Sequence, residues 1–215
     1  MSTLSSIPQA TRALADRGVA FAPEIAQAAA RYGVDPQLLA AVAAQETGGP
    51  GSNAGRNIVG DGGHGHGIFQ IDDRFHPFAS TAAAMRPQAN ADYAARMISG
   101  LLKRYGGDVH KALSAYNAGD PNAAGTTTQW QDGRTLGYAD SVLRHYAQLG
   151  GTTPEALTEF ASAESSTEQN DVNRLFSFAS LQPPPAPAYA HRHFAPSSPD
   201  FASLIASGDG SSDSP

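Results

Sequence analysis

Val34-Asp35-Pro36-Gln37-Leu38-Leu39-Ala40-Ala41-Val42-Ala43-Ala44-Gln45-Glu46 is an apolar helical run that closes on an acid. Asp35 supplies an N-cap and Pro36 a favoured first helical position, so the spacing predicts a helix ending near Glu46. At 100° per residue, Glu46 falls on the same face as Leu39, Val42 and Ala43. A carboxyl group on an apolar face must be paired, or kept protonated by desolvation, or both. A carboxylic acid still protonated near neutral pH is what a glycosidase uses to protonate a leaving sugar oxygen. An isolated Glu at a helix end more commonly bends into solvent, but the segment that follows removes the isolation.

Nine glycines lie between Gly48 and Gly67. They lead into Gly60-Asp61-Gly62-Gly63-His64-Gly65-His66-Gly67-Ile68-Phe69-Gln70-Ile71-Asp72-Asp73-Arg74-Phe75-His76. Within this region Ile58-Val59 and Gly67 to Ile71 are the only plausible strands. Helical periodicity elsewhere predicts helices over 23–32, 91–105, 109–117 and 137–149, with a weaker one over 9–17. The expected domain is α+β and mainly α, with a small β element beside the helix that carries Glu46.

The glycine segment, with Glu46 upstream and Ser114-Ala115-Tyr116-Asn117-Ala118-Gly119 downstream, resembles the goose-type lysozymes. The wider soluble lytic transglycosylase superfamily shares the Glu, the apolar-Gln strand and the Ala-Tyr-Asn-Ala-Gly helix end. The resemblance runs from about residue 23 to 150 and implies a lysozyme-like fold. It implies Glu46 as general acid and Asp61 and Asp72 as the pair that holds the attacking water. Gln70 would then meet substrate from the strand, with Tyr116, Asn117 and Tyr138 in the cleft. Thr47 stands where the family usually has Ser, and Phe69 where Met is common. No cofactor is implied.

Physical chemistry gives these roles independent sense. Inverting hydrolysis asks for a second carboxylate about 6.5–9.5 Å from the acid, leaving room for water. A transglycosylase lets the sugar's own 6-hydroxyl attack, so it needs only the acid/base Glu and oriented donors. The aspartate pair therefore favours muramidase activity, cleavage of the β-1,4 bond between N-acetylmuramic acid and N-acetylglucosamine. The alternatives are a lytic transglycosylase giving 1,6-anhydro products, and a non-catalytic module that only binds peptidoglycan. Asp73, next to Asp72, is a rival water-holder.

Other signals are weaker. His64 and His66 invite a metal, but no third ligand stands at recognisable spacing, and no metal is expected. Arg74 and His76 read as a structural pair at the base of the loop, and Trp130 as either packing or a sugar platform.

Charge is asymmetric along the chain. Residues 1–150 carry 12 acidic and 12 basic residues, whereas residues 151–215 carry 8 acidic residues against Arg174 and Arg192. A neutral body without a basic stripe argues against nucleic acid. The expected organisation is a lead-in over 1–20, a catalytic domain over 21–150, and an acidic Pro/Ser-rich tail over 151–215, largely disordered. Short helices over 154–163 and 171–181, and the recurrent Phe-Ala-Ser triplet, are the only patterned features of that tail. The chain has no cysteine. Neither a signal-peptide pattern nor an apolar run of membrane-spanning length is present. The expected site of action is the periplasm or wall, reached through a secretion system or a phage lysis route. In the secreted-toxin reading, the partners are a cognate immunity protein that plugs the cleft and an export adaptor docking on the tail.

Overall fold

Residues 7–152 are described by the structure, a computed structural model; the tail expectations lie outside the described residues. Among the described residues there are six α-helices and two small antiparallel sheets, joined by short helical turns. α1 (Ile7–Ala15), α2 (Ala22–Tyr32) and α3 (Pro36–Ala43) come first. β1 (Ile58–Gly60), β2 (Gly65–Gly67) and β3 (Ile71–Asp72) follow, then α4 (Pro87–Arg104) and α5 (Val109–Ala118). A hairpin of β4 (Thr128–Gln129) and β5 (Thr135–Leu136) precedes α6 (Tyr138–Gln148). The mainly helical, lysozyme-like α+β class read from the sequence is the class observed.

α3 sits at the centre of the core, with Leu38 to Ala43 all buried. Its alanines let neighbouring helices approach closely, and each fully buried leucine contributes about 1.5–3 kcal/mol over an exposed one. Asp35 caps it as expected, accepting the Leu38 N–H at 2.9 Å. The helix does not run unchanged to Glu46. From Ala44 to Gly48 it widens into a π turn, in which the Gly49 N–H donates to Ala44 O at 3.0 Å. Thr47 explains the widening: its hydroxyl lies 3.1 Å from both Ala43 O and Ile68 O, drawing a helix carbonyl toward a side chain.

The first sheet corrects the expected strand over 67–71. β2 ends at Gly67, and Ile68, Phe69 and Gln70 form a tight turn into β3. Gln70 itself takes a left-handed backbone, φ 46°. The buried side chain of Asn90 on α4 pins this turn, accepting from Phe69 N–H at 2.9 Å and donating to His66 O at 3.0 Å. Gly67 is required at the bend: φ is +80°, and a Cβ there would lie 2.6 Å from Ala84 O. Apolar Ile68, Phe69 and Ile71 remain fully buried, so the composition signal reported burial rather than a strand.

Two further differences are local. α4 begins at Pro87 rather than residue 91, because proline suits the first turn of a helix. The β4–β5 hairpin was not visible in sequence; its strands are two residues each, too short for any periodicity. None of the helices among the described residues is long and apolar enough to cross a membrane.

Candidate active site

The π turn, the glycine-rich hairpin and the start of α6 enclose one cleft. Glu46, Asp61, Gln70, Asp72, Asn117 and Tyr138 all line it. Residues widely spaced in sequence thus meet around a single space, as an enzyme site requires.

Glu46 is half-buried as a residue, but its carboxyl is enclosed by protein. Desolvation lifts its pKa to about 7, opposed by the hydrogen bond from Tyr138. Tyr138 Oη donates to Glu46 Oε1 at 2.6 Å. Tyr138 is held at the first turn of α6, where its N–H donates to Ala124 O at 2.8 Å. Burial, and the nearby Glu46, push the phenol well above its ordinary range, so it stays a neutral donor. An acid tuned this way can deliver a proton near neutral pH.

Asp61 and Asp72 are joined by Arg74, whose guanidinium contacts both carboxylates. The Arg74 backbone N–H also donates to Asp72 Oδ1 at 2.8 Å, and Nε reaches Oδ1 at 2.9 Å and Oδ2 at 3.1 Å. The Asp72 side chain is 3% exposed and the Asp61 side chain 24%. The two acids are therefore unequal: Asp61 is open to solvent, whereas Asp72 is enclosed against the arginine. Asp61 also has a left-handed backbone, φ 46°, a conformation Asp tolerates better than most residues. The guanidinium sits well above its ordinary pKa, chiefly through its hydrogen bonds to Asp72.

The remaining sequence candidates separate. Asn117 is buried in the wall of the cleft and its Oδ1 accepts the Thr126 N–H at 2.8 Å. Gly125 beside it has φ +65°, and a Cβ there would fall 2.2 Å from Asn117 Oδ1. Gln70 lines the cleft from the turn, not from a strand, with Nε2 donating to Gly67 O at 2.8 Å and Ile58 O at 3.1 Å. Tyr116 lies behind the cleft, fully buried, with its hydroxyl 3.3 Å from Phe69 O and its ring stacked on Tyr138 at 6.3 Å. It supports Tyr138 from the core and does not line the cleft.

Three other expectations are corrected or refined. Arg74 and His76 do not form one loop-base pair: Arg74 bridges the aspartates, and His76 Nδ1 lies 3.0 Å from Tyr93 Oη. Trp130 is no sugar platform; it is 3% exposed, its Nε1 donates to Ser141 Oγ at 3.2 Å, and Arg144 covers its face at 4.2 Å. Asp73 turns away to His64 Nδ1 at 2.8 Å and His66 Nε2 at 3.1 Å, and is not a lining residue. These hydrogen bonds hold the Asp73 carboxyl below its ordinary range. Among the described residues, no group of three or more His, Asp or Glu is placed to hold a metal.

Sequence reasoning missed the far wall. Thr126, Thr127 and Thr128 line the cleft, and Gln45 Nε2 ties across to Thr128 Oγ1 at 2.8 Å. Arg56 was missed as well. Arg74 was noticed, but its clamp on two aspartates was not. The spacing of Asp72 to Arg74 was the available signal, since a chain turning after a short strand can fold i+2 back onto i.

Residues 23–135 match the family model of the Transglycosylase SLT domain, more than half of the chain, and the chain belongs to that family. It is 26% identical over 136 residues to Protein IpgF of Shigella flexneri, covering 60% of this chain and 82% of the relative. Protein IpgF of Shigella sonnei is similar to the same extent. No solved structure matches. Membership gives the chain a peptidoglycan-acting, lysozyme-like role.

Proposed function

We propose that this member of the SLT family is a muramidase that hydrolyses the β-1,4 bond between N-acetylmuramic acid and N-acetylglucosamine. The observation that carries the reading is a Glu46 carboxyl lifted to about 7, facing the same cleft as Asp61 and Asp72. Glu46 gives its proton to the glycosidic oxygen as the C1–O bond breaks. A water polarised by Asp61 attacks C1 from the opposite face, and its proton passes to the Asp61 carboxylate. Asp72 and Arg74 position Asp61 for this step. Gln70, Asn117 and Tyr138 orient the sugar. Solvent then restores the proton on Glu46 and removes the one on Asp61.

A second reading has its own support in the enclosure of Asp72 against Arg74 and in the transglycosylase name of the family. Here Glu46 gives its proton to the glycosidic oxygen as the C1–O bond breaks. The 6-hydroxyl of the muramyl sugar then attacks C1 and passes its proton to the Glu46 carboxylate, giving a 1,6-anhydro product and restoring the acid. Both aspartates are then structural.

Mass spectrometry of muropeptides released from purified peptidoglycan by wild type and Glu46→Gln separates the readings. Reducing-end products that vanish in the variant are expected. Anhydro products would replace the hydrolytic reading with the second one, and wall binding without release from either protein would overturn both. An antibacterial effector with a cleft-plugging immunity protein, or a phage lysin, would each use this activity. Expression directed to the periplasm should then lyse cells, whereas cytoplasmic expression should not.

A further inference from the structure

One cation in the cleft has no part in the proposed chemistry. Among the described residues that line the cleft the charged groups are Glu46, Asp61, Asp72 and Arg56, so Arg56 alone of these is positive. Arg74, by contrast, is already committed to two carboxylates. Arg56 Nε donates to Thr47 O at 2.7 Å, and its backbone N–H donates to Thr47 Oγ1 at 2.8 Å. No ion pair involves Arg56 among the described residues.

Thr47 is the residue after Glu46, is 3% exposed, and also binds Ala43 O and Ile68 O. The arginine is therefore anchored to the very turn that carries the acid, through hydrogen bonds that use its Nε and backbone N–H and, among the described residues, not its terminal Nη groups. It does not serve to balance Glu46. The Glu46 carboxyl pairs with Tyr138, and no ion pair among the described residues joins it to Arg56. A fixed planar fork of N–H donors without a protein anion suits a carboxylate from outside.

We propose that Arg56 binds a carboxylate on the side chain of the muramyl sugar and thereby selects which sugar lies beside Glu46. The inference rests on the peptidoglycan-cleaving reading above. Of the two alternating sugars only the muramyl residue bears a lactyl ether, which is either a free carboxylate or linked to an acidic stem peptide. N-acetylglucosamine carries no anion. Arg56 thus sets the direction of the glycan strand through the cleft and discriminates it from neutral chitin-like chains.

Dissociation constants on the Glu46→Gln background, with and without Arg56→Gln, test this with three oligosaccharides of equal length. One alternates both sugars and carries stem peptides, one is the same strand with peptides removed to free the lactyl carboxylates, and one contains only N-acetylglucosamine. Arg56→Gln is expected to weaken one of the two muramyl-containing ligands about tenfold and the neutral one less than about twofold. Equal weakening of the neutral ligand would overturn the proposal, because Arg56 would then act only through Thr47 and the turn. Loss on the peptide-free strand assigns the lactyl carboxylate; loss confined to the peptide-bearing one assigns the stem. Arg56→Lys, which keeps charge without the fork, should recover part of the affinity. If the neutral sugar binds below detection, salt decides. Raising it from about 50 to about 300 mM should weaken the muramyl-containing ligand that is sensitive to Arg56→Gln with Arg56 present and much less in Arg56→Gln. Equal salt dependence overturns the proposal. The reading beneath it fails separately, when wild type releases no product from the wall.

Discussion

Tyr138 Oη donates to Glu46 Oε1 at 2.6 Å, joining the first turn of α6 to the π turn after α3 across 92 residues. The bond favours the charged form of the acid, while burial favours the neutral form and prevails. The same phenol therefore orients the Glu46 carboxyl group and limits how far its pKa climbs.

Removing that hydroxyl gives a directional prediction. As general acid, Glu46 must be protonated, so activity is expected to fall as pH rises through about 7. Tyr138→Phe removes the group that lowers this pKa, so the alkaline limb of kcat/KM against pH should move upward. A limb that moves down or stays in place would mean that Tyr138 does not act through Glu46.

Glu46 also makes stability depend on pH. Its folded pKa of about 7 exceeds the unfolded value of 4.5, so stability is greatest below 4.5 and is lost as pH rises through 7. The loss has an upper bound of about 3 kcal/mol. Glu46→Gln, which cannot ionise, should raise the melting temperature by several degrees at pH 8 and by much less at pH 4.5. Calorimetry at the two pH values checks this, and an equal gain at both would contradict the buried-acid account.

His145 has the opposite sign. Its ring is fully buried, neither nitrogen finds a hydrogen-bond partner among the described residues, and burial lowers its pKa to about 4. Below 6.5 the unfolded chain binds a proton that the folded chain refuses, so stability falls between pH 6.5 and 4, by about 3 kcal/mol at most. His145→Gln should show a flatter acid limb of melting temperature than wild type. Parallel limbs would show that His145 is protonated in the fold.

The three neighbouring acids should separate in mutagenesis. Asp61→Asn is expected to lower kcat about a hundredfold with little change in melting temperature, as for loss of a general base. Asp72→Asn should cost about 2 kcal/mol of stability as well as activity, because it leaves Arg74 without its enclosed partner. Asp73→Asn, whose partners are the partly buried His64 and His66 and which does not line the cleft, should keep activity within about twofold. Loss of activity confined to Asp73→Asn would transfer the water-holding role to it.

Much of this molecule is legible in its sequence because local rules suffice. Asp35 and Pro36 announce α3, helical spacing gives α5 and α6, and the glycine run marks where the backbone must bend. An acid closing an apolar helix is a chemical statement that needs no coordinates. What the sequence could not determine is which polar groups meet. The partner of Glu46 lies 92 residues away, and the choice among Asp61, Asp72 and Asp73 turns on where Arg74 and the two histidines point. The apolar composition of Gly67 to Ile71 reads as a strand carrying Gln70, but Asn90, fully buried on α4, captures Phe69 N–H and His66 O and makes that stretch a turn. Such hydrogen bonds cost little to form anywhere in solution and become decisive only when packing excludes water around them. The sequence alone therefore determines the helices and the candidate acid, whereas the tertiary structure decides the pairing of charges, because desolvation is a property of the assembled fold.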